Sequence, residues 1–255
     1  MVNSSHAWLR YHAPRDSTTN TASSMDIIPV IDLKGGIVVH ARRGERDNYR
    51  ALVTPFAATP DPLAVVDGLL GYRDFTHLYI ADLDAIAGRA DHLAVVREIA
   101  CRHPHLRLWL DAGLGARVTS ASVAELPSLD HVFGSESIAT LADYHRLCAA
   151  VPHDRRVLSL DRGPTGDTLG CGALFEDPTL WPARVIHMTL ARVGSGGGPD
   201  VDGLATLRTR APQCAVYAAG GVRDEADLHA LAAQGVAGAL VATALHDGRI
   251  TQAQL

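Results

Sequence analysis

The chain has 255 residues, 47% hydrophobic and only 5% aromatic, with a net charge of −5. That length suits one α/β barrel or two small domains, with a core of Ala, Val, Leu and Ile. The acidic balance excludes the basic stripe a nucleic-acid surface needs, and no apolar run approaches the roughly 18 residues of a membrane span.

Residues 1–24 stand apart from the rest. The stretch 16–24 reads DSTTNTASS, polar and without apolar periodicity, and predicts a disordered extension before a folded unit of residues 25–255. Arg10 and Arg15 against the lone Asp16 leave a transit peptide as the alternative. From Asp26 onward, β-branched and Leu-rich runs alternate with Ala/Leu-rich stretches of helical pattern. The predicted strands are 27–33, 77–84, 106–113, 130–137, 156–161, 184–192, 214–221 and 238–245. Helices are predicted over 62–73, 93–100, 141–150 and 226–235, the last closing on Gly235.

Eight strands alternating with helices predict parallel βαβ units. The two halves also repeat. Aligning LDAGLG with YAAGGV pairs Gly113 with Gly221, and the same spacing pairs Gly134 with Ala242. Asp82 then falls opposite Thr189, and Asp32 opposite Asp161. Two half-barrels make one closed (βα)8 TIM barrel, an α/β fold, rather than an open doubly wound sheet. The four cysteines (Cys101, Cys148, Cys171 and Cys214) are scattered, as are the thirteen histidines. Neither set has the spacing of a metal site, and His103 and His105 merely flank Pro104 in a turn. Buried thiols, a reducing cytoplasmic location and no metal or cofactor are therefore expected.

Asp32 and Asp161 end the first and fifth strands, where barrels of this kind place their active sites. Two acids facing each other across a pocket suit a reaction in which one removes a proton while the other donates one. Each alone reads equally well as a loop cap; their matched places in a repeat favour chemistry. AAGGVRDEADL at 218–228 opens a helix with Gly220 and Gly221, and VATAL at 241–245 puts Ala242 and Thr243 beside it. With Gly194 after the sixth strand, these predict a phosphate held on backbone N–H groups. Arg42 and Arg43 follow the first strand, as a solvated loop or an anion clamp.

These residues resemble the (βα)8-barrel isomerase and cyclase family (HisA/HisF type) of histidine biosynthesis. IPVIDLKGGIVVHARRG at 28–44 is similar to that family's first-strand signature, and VLSLD at 157–161 to its fifth. The resemblance implies that Asp32 and Asp161 are catalytic, that Thr189 belongs to the catalytic site, and that AAGGVRDEADLHAL and LVATALHDG are phosphate loops. The family's second phosphate site, after strands three and four, reads DAGLG and GSES here. It places Asp111, Gly113, Gly134, Ser135 and Glu136, with Asp84 nearby, in a candidate second substrate site. Asp111 and Glu136 stand where the family has anion-friendly Gly and Thr, and two carboxylates repel a phosphate. The Trp that the family carries after strand five is absent from RGPTGDTLGCGAL at 162–174, and Leu190 and Val193 replace acids.

IADLDAI, GSES, MTLARVGS and ALHDG are most similar to a divergent HisA-like branch of methanogens and methylotrophs. That resemblance implies an isomerase-type enzyme (aldose–ketose or Amadori) acting on a phosphorylated sugar-like metabolite, in tetrahydromethanopterin-linked one-carbon metabolism. The alternatives are the phosphoribosylformimino-AICAR-ribotide isomerase of histidine biosynthesis and a non-catalytic barrel that binds a phosphometabolite. Cyclase activity needs an ammonia-delivering partner to which nothing in the sequence points. The expected partner is a phosphorylated small molecule, with no nucleic acid or membrane, and the chain is expected to be a monomer or weak homo-oligomer. Deleting residues 1–24 should leave the melting temperature and activity nearly unchanged. A clear drop in thermal stability would show that Trp8 or Leu9 belongs to the core.

Overall fold

In the computed structural model, which describes residues 25–113 and 126–251, eight parallel strands close on themselves. They are β1 (Asp26–Lys34), β4 (His77–Asp82), β5 (Arg107–Asp111), β6 (Leu129–Gly134), β7 (Arg156–Arg162), β8 (Arg184–Thr189), β9 (Ala215–Ala219) and β10 (Gly238–Val241). Each pairs with the next, and β10 returns to β1 with Ile28 opposite Leu240. Two short strands, β2 (Ile37–His40) and β3 (Arg50–Ala51), extend β1 as an antiparallel hairpin. The sequence reading missed them, because IVVH and RA are too short to carry a period. Expectations that fall on residues 1–24 and 114–125 lie outside the described residues.

Side chains alternate across the strands and build two apolar layers. Along β4, Tyr79 and Ala81 point into the barrel with Trp109, Val132, Ile186 and Leu240. Leu78 and Ile80 point outward, against a shell that includes Val65, Leu69, Val96, Ile99 and Leu231. The helices begin where side-chain oxygens satisfy their first N–H groups. Asp61 caps Pro62–Tyr72 through Ala64 N at 2.9 Å. Thr140 and Asp143 form a reciprocal capping box on Leu141–Ala150. Asp224 caps Glu225–Ala233, after which Gly235 takes a positive φ of 67°. The helix Val201–Arg210, which the sequence reading did not single out, covers β9.

Four predicted strands run past their observed ends because a turn of helix begins where each strand stops. Asp82 caps Leu83–Ile86 by accepting from Ala85 N at 3.1 Å. Gly134, Thr189 and Ala242 likewise precede one-turn helices over 135–137, 190–192 and 243–246. The cysteines depart from expectation too: Cys101 is exposed and the other three are only half-buried. His103 donates to or accepts from Asp67 at 2.8 Å. Among the described residues no group of His, Cys, Asp or Glu is arranged to hold a metal ion, and no helix is long and apolar enough to cross a membrane.

The N-terminal floor of the barrel is closed by charge. Asp130 on β6 is fully buried and takes both Arg107 from β5 and Arg184 from β8. Arg184 also stacks over Trp109, which meets Tyr217 edge-on at 4.8 Å between centroids. Removing one partner from a buried ion pair strands the other charge, typically at about 3–5 kcal/mol. Asp130→Ala should therefore destabilise the fold by about that much in urea unfolding, and a loss under about 1 kcal/mol would show that water already screens the two guanidinium groups.

Candidate active site

At the opposite, C-terminal end of the strands lies a half-open cavity. Asp32 of β1 and Asp161 of β7 both line it, as do Asp111 of β5, Glu136 just after β6, and Tyr79 of β4. Four carboxylates thus share one recess with Arg46, which forms an ion pair with Glu136. The Lys34 ammonium fixes the loop by donating to Arg46 O at 2.6 Å.

The electrostatics follow from this crowding. Asp161 is buried and accepts from Ser159 Oγ at 2.6 Å, Glu136 N at 3.1 Å and Ser135 Oγ at 3.3 Å. Burial, and then the neighbouring charge of Asp111, still push its pKa up to about 7. Burial also raises Asp32 to about 7, against the pull of Arg46. Asp111 is pushed up to about 6 by burial and by Glu136, and accepts from Tyr79 Oη at 3.2 Å. The Tyr79 phenol is held well above its usual range by burial and then by Asp111, Asp161 and Asp32, so it keeps its proton and donates a hydrogen bond. Near neutral pH such a recess holds protonated and ionised carboxyls side by side, the condition for general acid and general base to work in one step.

The other sequence-predicted residues divide sharply. Gly194, Gly220, Gly221, Ala242 and Thr243 all line the same cavity. Glycine is required at 220 and 221 for a packing reason. Both have φ of 92°, and a Cβ would fall 2.6 Å from Thr189 O and 2.2 Å from Gly198 O. Their lack of side chains lets the loops after β8 and β9 merge into one backbone wall. Thr189 itself is off that wall, its buried hydroxyl without a hydrogen-bond partner among the described residues.

Of the expected second substrate site, only Asp111 and Glu136 face the cavity. Gly134 and Ser135 lie behind them. A Cβ on Gly134 would sit 3.0 Å from Asp111 Oδ2 and 3.4 Å from Asp161 Oδ2, so the missing side chain makes room for both acids. Gly113 packs on Ile86 and donates its N–H to Asp111 Oδ1 at 3.3 Å. Asp84 is a correction: it does not reach the mouth. Its carboxylate accepts from Gly35 N at 2.6 Å and Arg89 Nε at 3.0 Å, tying the β1–β2 turn to the loop after β4. Asp82 is likewise spent on Ala85 N and on His92 N at 2.7 Å.

The sequence reading missed Tyr79, Arg46 and Tyr49, all of which line the cavity. Tyr79 was recoverable from strand alternation, since it shares a face with Ala81. Arg46 was not, because nothing in RRGERD distinguishes it from Arg42 and Arg43.

A closed barrel with an acid-lined recess at its C-terminal mouth and a glycine-walled corner beside β9 and β10 has the architecture of the (βα)8-barrel enzymes, whose active sites lie at that face. The chain belongs to the histidine biosynthesis protein family, whose model matches residues 26–251. Among its relatives is an imidazole-carboxamide isomerase of Anaeromyxobacter dehalogenans, named for a substrate with two phosphoribosyl groups, 33% identical over 90% of this chain and 97% of its own length. The isomerase of the same name from Halorhodospira halophila is 31% identical, over 88% of this chain and 93% of its own. An uncharacterized protein of Methanocaldococcus jannaschii is 27% identical over 88% of this chain and 94% of its own.

The raised carboxyls carry a stability cost with a defined sign. A folded carboxyl of raised pKa favours the fold at low pH, and that contribution is lost as pH rises from the unfolded value through the folded one. For Asp111 the window runs from 3.8 to about 6. Asp111→Asn should therefore be more stable than the parent at pH 8 by about 2–3 kcal/mol, with the gap closing towards pH 4. Urea unfolding at the two pH values reads it, and a variant less stable at pH 8 would mean that Asp111 is held ionised by contacts that outweigh its burial.

Proposed function

We propose that this barrel is an isomerase that converts a phosphorylated aminoaldose to the aminoketose by general acid–base catalysis between Asp32 and Asp161. The observation that carries the proposal is the joint placement of both acids, each raised to about 7, in one recess with a glycine-walled corner. Asp32, whose charge is favoured by Arg46, acts as the base that removes the proton from the carbon next to the anomeric centre. Asp161, whose foremost charged neighbour is Asp111, keeps a proton and delivers it to the ring oxygen as the sugar opens. Gly194, Gly220, Gly221, Ala242 and Thr243 hold a phosphate of the substrate, and Thr189 supports the catalytic loop from behind.

Among named activities, the relatives support the histidine-pathway isomerase, with its two phosphoribosyl groups. The tetrahydromethanopterin role finds no support in them, since the methanogen relative's name states no activity. One observation favours a second reading, a substrate with a single phosphate. Asp111 and Glu136 face the cavity at the end remote from the glycine wall, where a second phosphate would meet like charge.

Complementation of a histidine auxotroph lacking the isomerase separates the two. Growth supports the bis-phosphate reading, and no growth with a soluble, folded barrel supports the single-phosphate one. Under either, Asp32→Asn and Asp161→Asn should each lower turnover by about 10²–10⁴-fold while leaving phosphate affinity within about twofold. Undiminished turnover in either variant would remove that residue from the chemistry.

A further inference from the structure

A second cleft lies against the outside of the glycine wall. The two clefts share Gly194, Gly196, Thr243 and Arg249, so they adjoin at that wall. The outer one takes its remaining lining chiefly from the β2–β3 hairpin: His40, Arg42, Asn48 and Arg50. His40 and Arg50 are cross-strand partners and therefore present their side chains on one face. Three arginines and a histidine thus meet a single carboxylate, Asp247, which is engaged by Arg249 at 3.2 Å. No carboxylate among the described residues pairs with Arg42 or Arg50. In a chain of net charge −5, two unneutralised guanidinium groups beside a backbone anion corner are a concentration of the opposite sign.

The cleft is also physically built onto that corner. Arg43 N donates to Val193 O at 2.9 Å, and a Cβ on Gly194 would fall 2.9 Å from Ala41 O. His40 Nε2 lies 3.1 Å from Thr243 Oγ1, which places an imidazole on the shared wall. Arginine's planar fork suits phosphate oxygens better than any other side chain does.

We propose that the outer cleft is a second anion subsite, adjacent to the phosphate corner, and that the chain's ligand carries two neighbouring phosphates as a diphosphate. The inner phosphate sits on the glycine wall; the outer one is taken by Arg42 and Arg50, with His40 and Thr243 between them. This rests on the phosphate placement proposed above. It also turns the acidic far end into a discriminating feature, because both anionic groups then lie at the opposite end from Asp111 and Glu136.

The test is calorimetry on the full chain with inorganic phosphate and with pyrophosphate, each at two salt concentrations. Pyrophosphate should bind at least about tenfold more tightly, with a steeper loss of affinity as salt rises. Arg42→Gln/Arg50→Gln should abolish that advantage while changing phosphate affinity less than about twofold. Arg42→Lys/Arg50→Lys, which keeps the charge without the fork, should recover part of it. Equal affinities in the parent would overturn the second subsite and leave the phosphate corner standing. No binding of either anion would overturn both. An equal loss for phosphate and pyrophosphate in the folded double variant would also overturn it, by showing an undifferentiated basic patch.

Discussion

Four carboxylates crowded into one poorly solvated recess set the terms for the rest of this molecule. Asp32, Asp111, Asp161 and Glu136 come from four different strands or their ends, and their mutual repulsion has to be absorbed by the structure. Arg46 neutralises part of it, and Ser135, Ser159 and Tyr79 supply hydroxyl donors. What remains appears as carboxyls that hold their protons into the neutral range. That residual tension is the chemical resource of the site, and the fold carries it because its floor and outer shell are well packed. The buried Asp130 with its two arginines and the Trp109–Tyr217 contact close the N-terminal end, so the electrostatic cost is confined to the other.

The half-barrel repeat survives in the backbone better than in the chemistry. Asp32 and Asp161 occupy matching places, as do Gly113 and Gly221, yet the two ends of the cavity are chemically opposite. At one, glycines at 194, 220 and 221 let neighbouring loops merge into a wall of peptide groups. At the other, Gly113 donates to the Asp111 carboxylate. The corresponding glycines therefore let loops close up in one half and hold a carboxylate of the protein itself in the other.

The eight barrel strands were legible because alternation of Leu78 and Ile80 with Tyr79 and Ala81 repeats from strand to strand. Strand ends were less so, since the chain turns into short helices after Asp82, Gly134, Thr189 and Ala242, and a strand pattern does not encode those turns. That Asp32, Asp161, Gly194, Gly220 and Gly221 gather at one mouth could be read from their places at strand ends. Asp84 reads from IADLDAIAGR equally as a substrate contact or as a salt bridge in its own loop, and its bonds to Arg89 and Gly35 give it the second role. Arg46 escaped for the related reason that its partner, Glu136, is remote in sequence and only the closed barrel brings the two together.

The bond from Arg43 N to Val193 O joins two loops that belong to opposite sides of the repeat. One runs on to Arg46, the counter-charge of the acids; the other runs into Gly194 and the glycine wall. Arg43, at a positive φ of 51°, sits where the two loops meet. The short strip of backbone 43–46 thus links the loop of the glycine wall to the guanidinium that pairs with Glu136.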